Sequence, residues 1–425
     1  MRFQTLARLL AGAGVLFCCT ESPAGAAARP DELTVELHAH LFMKEGLGWF
    51  FTGSFDDELC AESWRSRFSS QANPRALRDA KTAITVVSIY AHPLLKPDLP
   101  ASVRRQLEEV RRFVGENPDF VLARSPLQAR RALASGKRVL VLALETASGI
   151  LDSDDLIREF IDEGGIRIVT LLHLTDDELG GSAFMRGINA WANPWAWVRQ
   201  FFGGPRDAEG NRINRNGITE RGRALMHKLI ERGVWIDLSH ASDRAQAVMV
   251  PELEKAGQPL LYTHTALRRH YHAERAISDT QLARVATSRG MIGLMPSEDM
   301  VSGTVVSEQF CPASCAGRCT GGLFAFATHY ADAVEVLGGA NVVLGSDFNG
   351  GIRHLPPTAC AVGDAVFEKE GFYLMGHTPH LWAGLRGVGA PVPENLTVTV
   401  EAFLSAWKKG SDHFLMHDAS KVNSR

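Results

Sequence analysis

The stretch Val139-Leu-Val-Leu-Ala-Leu-Glu145 joins six consecutive apolar residues to a carboxylate. An unbroken apolar run of this length is typical of a parallel strand that is buried on both faces. Eight such runs follow one another along the chain: Val35–His40, Ile84–Tyr90, Val139–Glu145, Ile166–His173, Val234–His240, Leu260–Thr265, Met291–Pro296 and Val342–Asp347. Because helical segments separate them, they predict an α/β fold, a (β/α)8 TIM-like barrel.

The segments between the strands have the features of amphipathic helices. Apolar residues recur at helical spacing in Ser102–Val114 and Thr219–Gly233, and Ser278 begins a capping box. The last clear helix is predicted over Gly322–Gly338. An open, doubly wound sheet is the alternative architecture, and it is disfavoured because no Gly-x-Gly-x-x-Gly motif opens the first β/α unit.

Three connections are much longer than the others: Gly46–Asn73, Thr175–Asn216 and Ser297–Gly321. Long connections in a barrel are often functional, so these rim loops are predicted lids. The second contains Trp191, Trp195 and Trp197. Packing of these tryptophans on the barrel rim for stability is the alternative interpretation.

The N-terminal segment 1–28 has the pattern of a signal peptide. Arg2 and Arg8 flank a short apolar run, and small residues suitable for cleavage follow it. We therefore predict export, to the periplasm or as a secreted protein, with residues 29–425 forming one barrel domain. A lipid anchor on Cys18 or Cys19 is an alternative, which Phe17 disfavours. No later stretch is long enough to be a transmembrane helix.

Composition limits the partners and the chemistry of the cysteines. The 425 residues carry a formal net charge of −3 without a basic block, which argues against nucleic-acid binding. An exported chain favours disulfides. Apart from Cys18 and Cys19 in the predicted signal peptide, the cysteines are Cys60, Cys311, Cys315, Cys319 and Cys360. They predict one or two disulfides with one thiol left over, and a metal cluster in the 311–319 loop is the alternative.

Side chains that can bind metals stand at the ends of the apolar runs: His38, His40, Glu145, His240, His264 and Asp347. Residues two apart in a strand point to the same side, so His38 and His40 can share one ion. Burying all six groups without a cation would be costly, and imidazole with carboxylate suits zinc. Six ligands exceed what one tetrahedral ion needs. The sequence therefore predicts two divalent ions, most simply Zn²⁺, that are bridged by Glu145 and activate a water.

Four motifs resemble the membrane (renal) dipeptidase family, peptidase family M19. They are Arg167-Ile-Val-Thr-Leu-Leu-His173, Asn216-Gly-Ile-Thr219 followed by Val234-Trp-Ile-Asp-Leu-Ser-His240, Thr263-His264 followed by Arg275-Ala-Ile-Ser-Asp279, and Val343-Leu-Gly-Ser-Asp-Phe-Asn-Gly350. Their order along the chain, together with the first strand, spans roughly Val35 to Gly351, and the combination is far more specific than any single motif.

This resemblance implies a zinc-dependent dipeptidase with a small-molecule dipeptide substrate, and a possible homodimer. His38, residue 40 and Asp347 would hold one ion, His240 and His264 the other. His173 would stabilise the oxyanion, and Arg275 would bind the substrate carboxylate. Asp347 would also take and return the proton of the attacking water. From the residues alone, His173 as a core histidine and Arg275 as a surface arginine are the alternatives.

Two departures from the family pattern concern the site. The first strand reads His-x-His, where the family has His-x-Asp, and Asn349 replaces a second Asp after the last strand. The His-x-His pair is common in other amidohydrolases, so a lactonase, deacetylase or esterase is an alternative function. A catalytically inactive exported metal-binding protein is another.

Overall fold

The computed structural model describes residues 32–43, 70–91, 98–186, 193–200, 204–315, 319, 322–358 and 360–422, with side chains to residue 411 except those of 200 and 314. The predicted signal peptide, Cys60, Trp191 and most of the Gly46–Asn73 insertion lie outside these residues.

In this part of the chain, nine parallel strands form one sheet: β1 (Thr34–Ala39), β2 (Thr82–Tyr90), β3 (Phe120–Leu122), β4 (Arg138–Glu145), β5 (Ile166–Thr170), β6 (Trp235–Asp237), β7 (Leu261–Thr265), β8 (Met291–Leu294) and β9 (Val342–Leu344). The strand order is β2-β1-β9-β8-β7-β6-β5-β4, and pairing of β2 with β4 closes eight strands into a barrel. The predicted (β/α)8 barrel is therefore confirmed. The additional strand β3 was not predicted, and it pairs with the start of β4.

Several strands end earlier than the apolar runs suggest. The runs that end at His173, His240 and Asp347 leave the sheet at Thr170, Asp237 and Leu344. After β6 the chain turns, with the Ser239 amide donating to the Asp237 carboxylate over 3.1 Å. After β9, Asp347 has a φ of 57°, which no strand residue adopts. The polar residues therefore lie in the first turns beyond the strands, on the C-terminal face of the barrel.

The connections between strands contain the helices α1 (Pro74–Asp79), α2 (Leu99–Glu116), α3 (Pro126–Ala134), α4 (Asp154–Ile157, continuing as a π-helix over Arg158–Glu163), α5 (Pro194–Gln200), α6 (Glu220–Ile230), α7 (Asp243–Lys255), α8 (Arg268–Tyr271), α9 (Asp279–Ser288) and α10 (Gly322–Leu337). Three helices follow the last strand: α11 (Ala365–Glu370), α12 (Thr378–Gly387) and α13 (Thr397–Val422). The predicted capping box is present, because the Ser278 and Gln281 side chains each accept from the other's backbone amide. Short 3-10 turns lie at Glu308–Phe310, Ala313–Cys315 and Met375–His377.

Side chains along β4 alternate between two apolar clusters. Leu140, Leu142 and Leu144 pack with the surrounding helices, whereas Val139, Val141 and Ala143 pack with residues of the other strands and of α13. Phe403 and Trp407 of α13 are buried in this second cluster. Since residues two apart face the same side of a strand, Glu145 continues the row that begins at Val139. The second apolar cluster therefore packs on the same side of β4 as the Glu145 carboxylate.

Two disulfides fasten the Ser297–Gly321 loop, as the cysteine count suggested. Cys311 pairs with Cys319, and Cys315 pairs with Cys360, with Cα–Cα distances of 5.6 and 5.7 Å. In the Thr175–Asn216 insertion, Trp197 packs against Phe184, whereas Trp195 is 73% exposed. Among the described residues, no helix has the length and apolar character required to cross a membrane.

Candidate metal centre

The first group of converging ligands comes from β1, from the residue that follows it, and from β4. The Nε2 atoms of His38 and His40 lie 3.2 Å apart, and His40 Nε2 lies 3.1 Å from Glu145 Oε2. All three side chains are buried. One atom from each lies within 4.8 Å of the others, which is the spacing that a single cation can bridge.

The second group shares the same carboxylate. His240 follows β6 and His264 lies in β7, and their Nε2 atoms are 2.9 Å apart. Each Nε2 lies 3.4 Å from Glu145 Oε1. Glu145 Oε2 therefore faces His40, whereas Oε1 faces His240 and His264 and also lies 3.6 Å from His38 Nε2, so the carboxylate stands between the two groups.

Asp347 borders the first group. Its Oδ1 lies 3.1 Å from His40 Nε2 and 3.9 Å from His38 Nε2, and its side chain is 13% exposed, more than the other members. The backbone amide of Asp347 donates to the His38 carbonyl over 2.8 Å. Its φ of 57° is strained for a residue other than glycine, and such strain is concentrated at functional sites. Asp347 is thus the acidic group of the centre that a substrate or water reaches most easily.

His173 lies on the same side of Glu145 as the second group. Its Nε2 is 3.2 Å from Glu145 Oε1, and its ring centroid is 4.3 Å from that of His240. Tyr90, the last residue of β2, packs edge-on against His173 at 4.8 Å. The sequence reasoning did not select Tyr90, although it ends a strand in the same way as the predicted ligands.

Arg275 reaches the centre from the loop after β7. It is 2% exposed, so the surface alternative is wrong. Its Nη2 donates to the His264 carbonyl over 2.9 Å and lies 3.2 Å from His240 Nε2. Its Nε and Nη1 have no hydrogen-bond partner among the described residues. A buried guanidinium with two free donor atoms is suited to bind a carboxylate.

Glu274 fixes the backbone that carries Arg275. Its carboxylate accepts from the amides of Phe184, Asn214 and Asp243, each over 2.9 Å. Burial raises the pKa of Glu274 to about 8. The backbone amide of Arg275 also donates to the Phe184 carbonyl over 3.0 Å. Three segments, represented by Phe184, Asn214 and Asp243, therefore meet at Glu274, next to Arg275. No sequence motif indicated this contact.

The protonation states of His240, His264 and Glu145 fit the binding of a cation. Burial, with help from the positive charge of Arg275, holds the pKa values of His240 and His264 well below the usual range, so both are neutral imidazoles. Burial alone would raise the pKa of Glu145, but His173 and His38 outweigh it and hold it well below its usual value. Metal ligation requires these protonation states.

His40, at the position where the family pattern has Asp, differs from the other histidines. Burial would lower its pKa, but hydrogen bonds with Asp347 and Glu145 raise it to about 10. In the metal-free protein the imidazolium thus supplies positive charge between two carboxylates. A divalent cation at this point would replace that proton, so the residues present fit a metal ion.

Asn349, the other departure, lies outside the centre. Its Oδ1 accepts from the Gln71 and Ala72 amides over 2.8 and 3.2 Å, and its Nδ2 donates to the Ala72 carbonyl over 3.2 Å. An ionised Asp cannot make the last bond. Asn349 thus clamps the segment before α1 to the loop that carries Asp347.

Comparison with known proteins finds a matching family and several similar solved structures. The model of the membrane dipeptidase family, peptidase family M19, matches residues 54–357. The matched region contains Glu145, His173, His240, His264, Arg275 and Asp347. It begins after His38 and His40, which lie outside it.

Solved structures share the fold at low sequence identity. The dipeptidase AC, a metallopeptidase of family M19, is 18% identical with a TM-score of 0.61, covering 89% of this chain and 98% of its own. A Rhodobacter sphaeroides metallopeptidase, liganded with a phosphinate mimic of L-Ala-D-Ala, is 16% identical with a TM-score of 0.59, covering 89% and 99%. The probable dipeptidase PvdM from Pseudomonas aeruginosa is 17% identical with a TM-score of 0.60, covering 90% and 96%.

Proposed function

Because the chain belongs to the membrane dipeptidase family, peptidase family M19, and is therefore a metal-dependent hydrolase, we propose that it cleaves the peptide bond of dipeptides with two zinc ions. The observation that carries the proposal is the pairing of two histidine groups on Glu145 beside the free donors of Arg275. The first feature is suited to a two-metal hydrolase, and the second to a substrate with a free carboxylate.

Six side chains would hold the two ions: His38, His40, Asp347 and Glu145 for the first, and Glu145, His240 and His264 for the second. Four imidazoles with two carboxylates favour zinc among the common divalent metals. The chemistry that such ions supply is polarisation of the scissile carbonyl and a lowered pKa for a water.

The position of Arg275 limits the length of the substrate. Its Nη2 is only 3.2 Å from the metal-facing Nε2 of His240. A carboxylate that accepts from Nε or Nη1 of this guanidinium therefore lies close to the centre. The short spacing between that carboxylate and a scissile carbonyl at the two ligand groups favours a dipeptide, in which a single residue separates the two.

Two further side chains have roles in the bond cleavage. His173 is placed beside Glu145 and His240, where its imidazole donates to the oxyanion of the tetrahedral intermediate. Asp347, the most exposed acidic group of the centre, accepts the proton of the attacking water and returns it to the leaving amine.

The test is release of free amino acids from L,L- and L,D-dipeptides by the purified protein, with and without a chelator. L,D substrates belong in the panel because the Rhodobacter sphaeroides protein binds a mimic of L-Ala-D-Ala. We expect release that the chelator abolishes and zinc restores. A zinc-loaded sample that cleaves no dipeptide contradicts the proposal.

The His-x-His pair of β1 favours a second candidate, an amidohydrolase that acts on lactones, esters or acylated amines. Such substrates lack the free carboxylate that Arg275 would bind. If Arg275→Ala leaves turnover of the best substrate unchanged, this second candidate replaces the dipeptidase.

We also propose export after cleavage of the segment 1–28. N-terminal sequencing of the mature protein tests it, and a mature chain that begins at Met1 rules it out.

A further inference from the structure

We propose that Thr263 is a positioning residue shared by the two metal groups, because its single hydroxyl orients one imidazole of each. The inference rests on the two-ion part of the proposed function and is independent of the dipeptide substrate. Thr263 is not a ligand itself. It lies in β7, is 1% exposed, and acts through His38 and His264.

The geometry of the contact is direct. Thr263 Oγ1 lies 3.2 Å from His38 Nδ1 and 3.0 Å from His264 Nδ1. The Nε2 atoms of the same rings face the metal groups, where they approach Glu145 Oε1 at 3.6 and 3.4 Å. One oxygen atom therefore contacts the outer nitrogen of a ligand from each group.

The direction of each hydrogen bond follows from Asp237. Its Oδ2 lies 2.7 Å from Thr263 Oγ1, and a carboxylate only accepts, so the threonine proton is directed to Asp237. The Ser239 hydroxyl is not a competing donor, because its own proton is given to Asp237 Oδ1 over 2.6 Å. Both lone pairs of Thr263 Oγ1 remain available to the two rings.

The two imidazoles must then donate. With Nδ1–H directed to Thr263, His38 and His264 are both held in the tautomer that leaves Nε2 unprotonated and facing a metal ion. Asp237 is itself fixed, since it also accepts from the Thr170 hydroxyl over 2.7 Å and from the Thr263 amide over 2.9 Å. An Asp–Thr–His chain thus branches to both metal groups.

Thr263→Val tests the role, because valine keeps the shape and removes the hydroxyl. We expect it to lower the affinity for each of the two ions by about 10- to 100-fold, the usual effect of losing an outer partner. The measurement is zinc competition against a chromophoric chelator, together with the visible spectrum of the cobalt-substituted protein. Thr263→Ser retains the hydroxyl and should restore both readouts.

Thr170→Val is the matched control. Thr170 is 2% exposed and donates to the same Asp237 oxygen, but it contacts neither ligand ring through a described hydrogen bond. The metal affinity of the Thr170→Val variant should stay near that of the unmodified protein. Equal losses in Thr170→Val and Thr263→Val, or a loss at only one ion, overturn the shared role.

Asp237→Asn provides a second route if Thr263→Val does not fold. The amide of Asn can donate to Thr263, which removes the fixed direction of the hydroxyl proton. We expect weaker binding of both ions and an altered cobalt spectrum. Unchanged affinity in this variant overturns the proposal, whereas failure to cleave dipeptides does not affect it, because no substrate is present in the measurement.

Discussion

Replacement of Arg275 separates substrate recognition from structural support. Its Nε and Nη1 are buried without a partner among the residues described, so either of them can donate a new hydrogen bond to a substrate carboxylate. A hydrogen bond between charged groups contributes about 1.5–3 kcal/mol, and the loss of one such bond sets the expected effect. At about 1.4 kcal/mol per factor of ten, Arg275→Met should reduce kcat/KM for dipeptides by about 10- to 100-fold.

The assay pairs this variant with a dipeptide amide, which lacks the free carboxylate. The unmodified enzyme should lose a comparable factor on the amide. Because variant and amide remove the same interaction, their effects should not add. If Arg275→Met slows cleavage of the amide as strongly as cleavage of the free dipeptide, Arg275 does not recognise the carboxylate and the reasoning fails.

Arg268 offers a matched structural control, since both arginines are 2% exposed. Arg268 pairs with the Asp243 carboxylate through contacts of 2.7 and 2.8 Å. Breaking such a buried pair costs about 3–5 kcal/mol, so Arg268→Met should lower the Tm strongly. Arg275 forms no ion pair with a described residue and burial lowers its pKa, so Arg275→Met should leave the Tm unchanged or raise it.

Three further predictions concern the support of the site. Asn349→Asp removes the bond to the Ala72 carbonyl and should lower the free energy of unfolding by about 1–3 kcal/mol in urea titrations; an unchanged midpoint contradicts the clamp. Glu274 has a folded pKa raised from 4.5 to about 8, so its protonated form favours the folded state and its contribution falls as the pH rises through that window. Glu274→Gln should flatten this decline in pH-dependent unfolding curves, and an equally steep curve refutes it. Gly345→Ala would bring a Cβ within 2.9 Å of the His264 Cα, so we expect reduced zinc content by elemental analysis, and full loading argues against that contact.

The barrel and its strand-end ligands were predictable because apolar runs and the polar residues that end them occur together along the chain. Apolar runs define the strands, and parallel strands bring their C-terminal ends to one face, so the polar residues that end them must meet. His40 and Glu145 follow this rule directly. The short strand β3 and the Asn349 clamp carry no such signal. The strand β3 is followed by Ala123 rather than by a candidate ligand, and the partner of Asn349 lies in a segment distant in sequence.

Thr263 and His264 show why the outer support of the site was not predictable by the same rule. Consecutive residues of a regular strand point to opposite sides, so a sequence reading places only one of them at the centre. In β7 the pairing with β8 is irregular between Tyr262 and Thr265, and Thr263 Oγ1 comes within 3.0 Å of the His264 ring. A similar irregularity in β1 lies between Glu36 and Ala39, at His38. The two rings that share the Thr263 hydroxyl thus both come from positions where strict alternation fails. Such irregularities re-aim side chains beside active sites, and they depend on the neighbouring strand rather than on the residues of the strand itself.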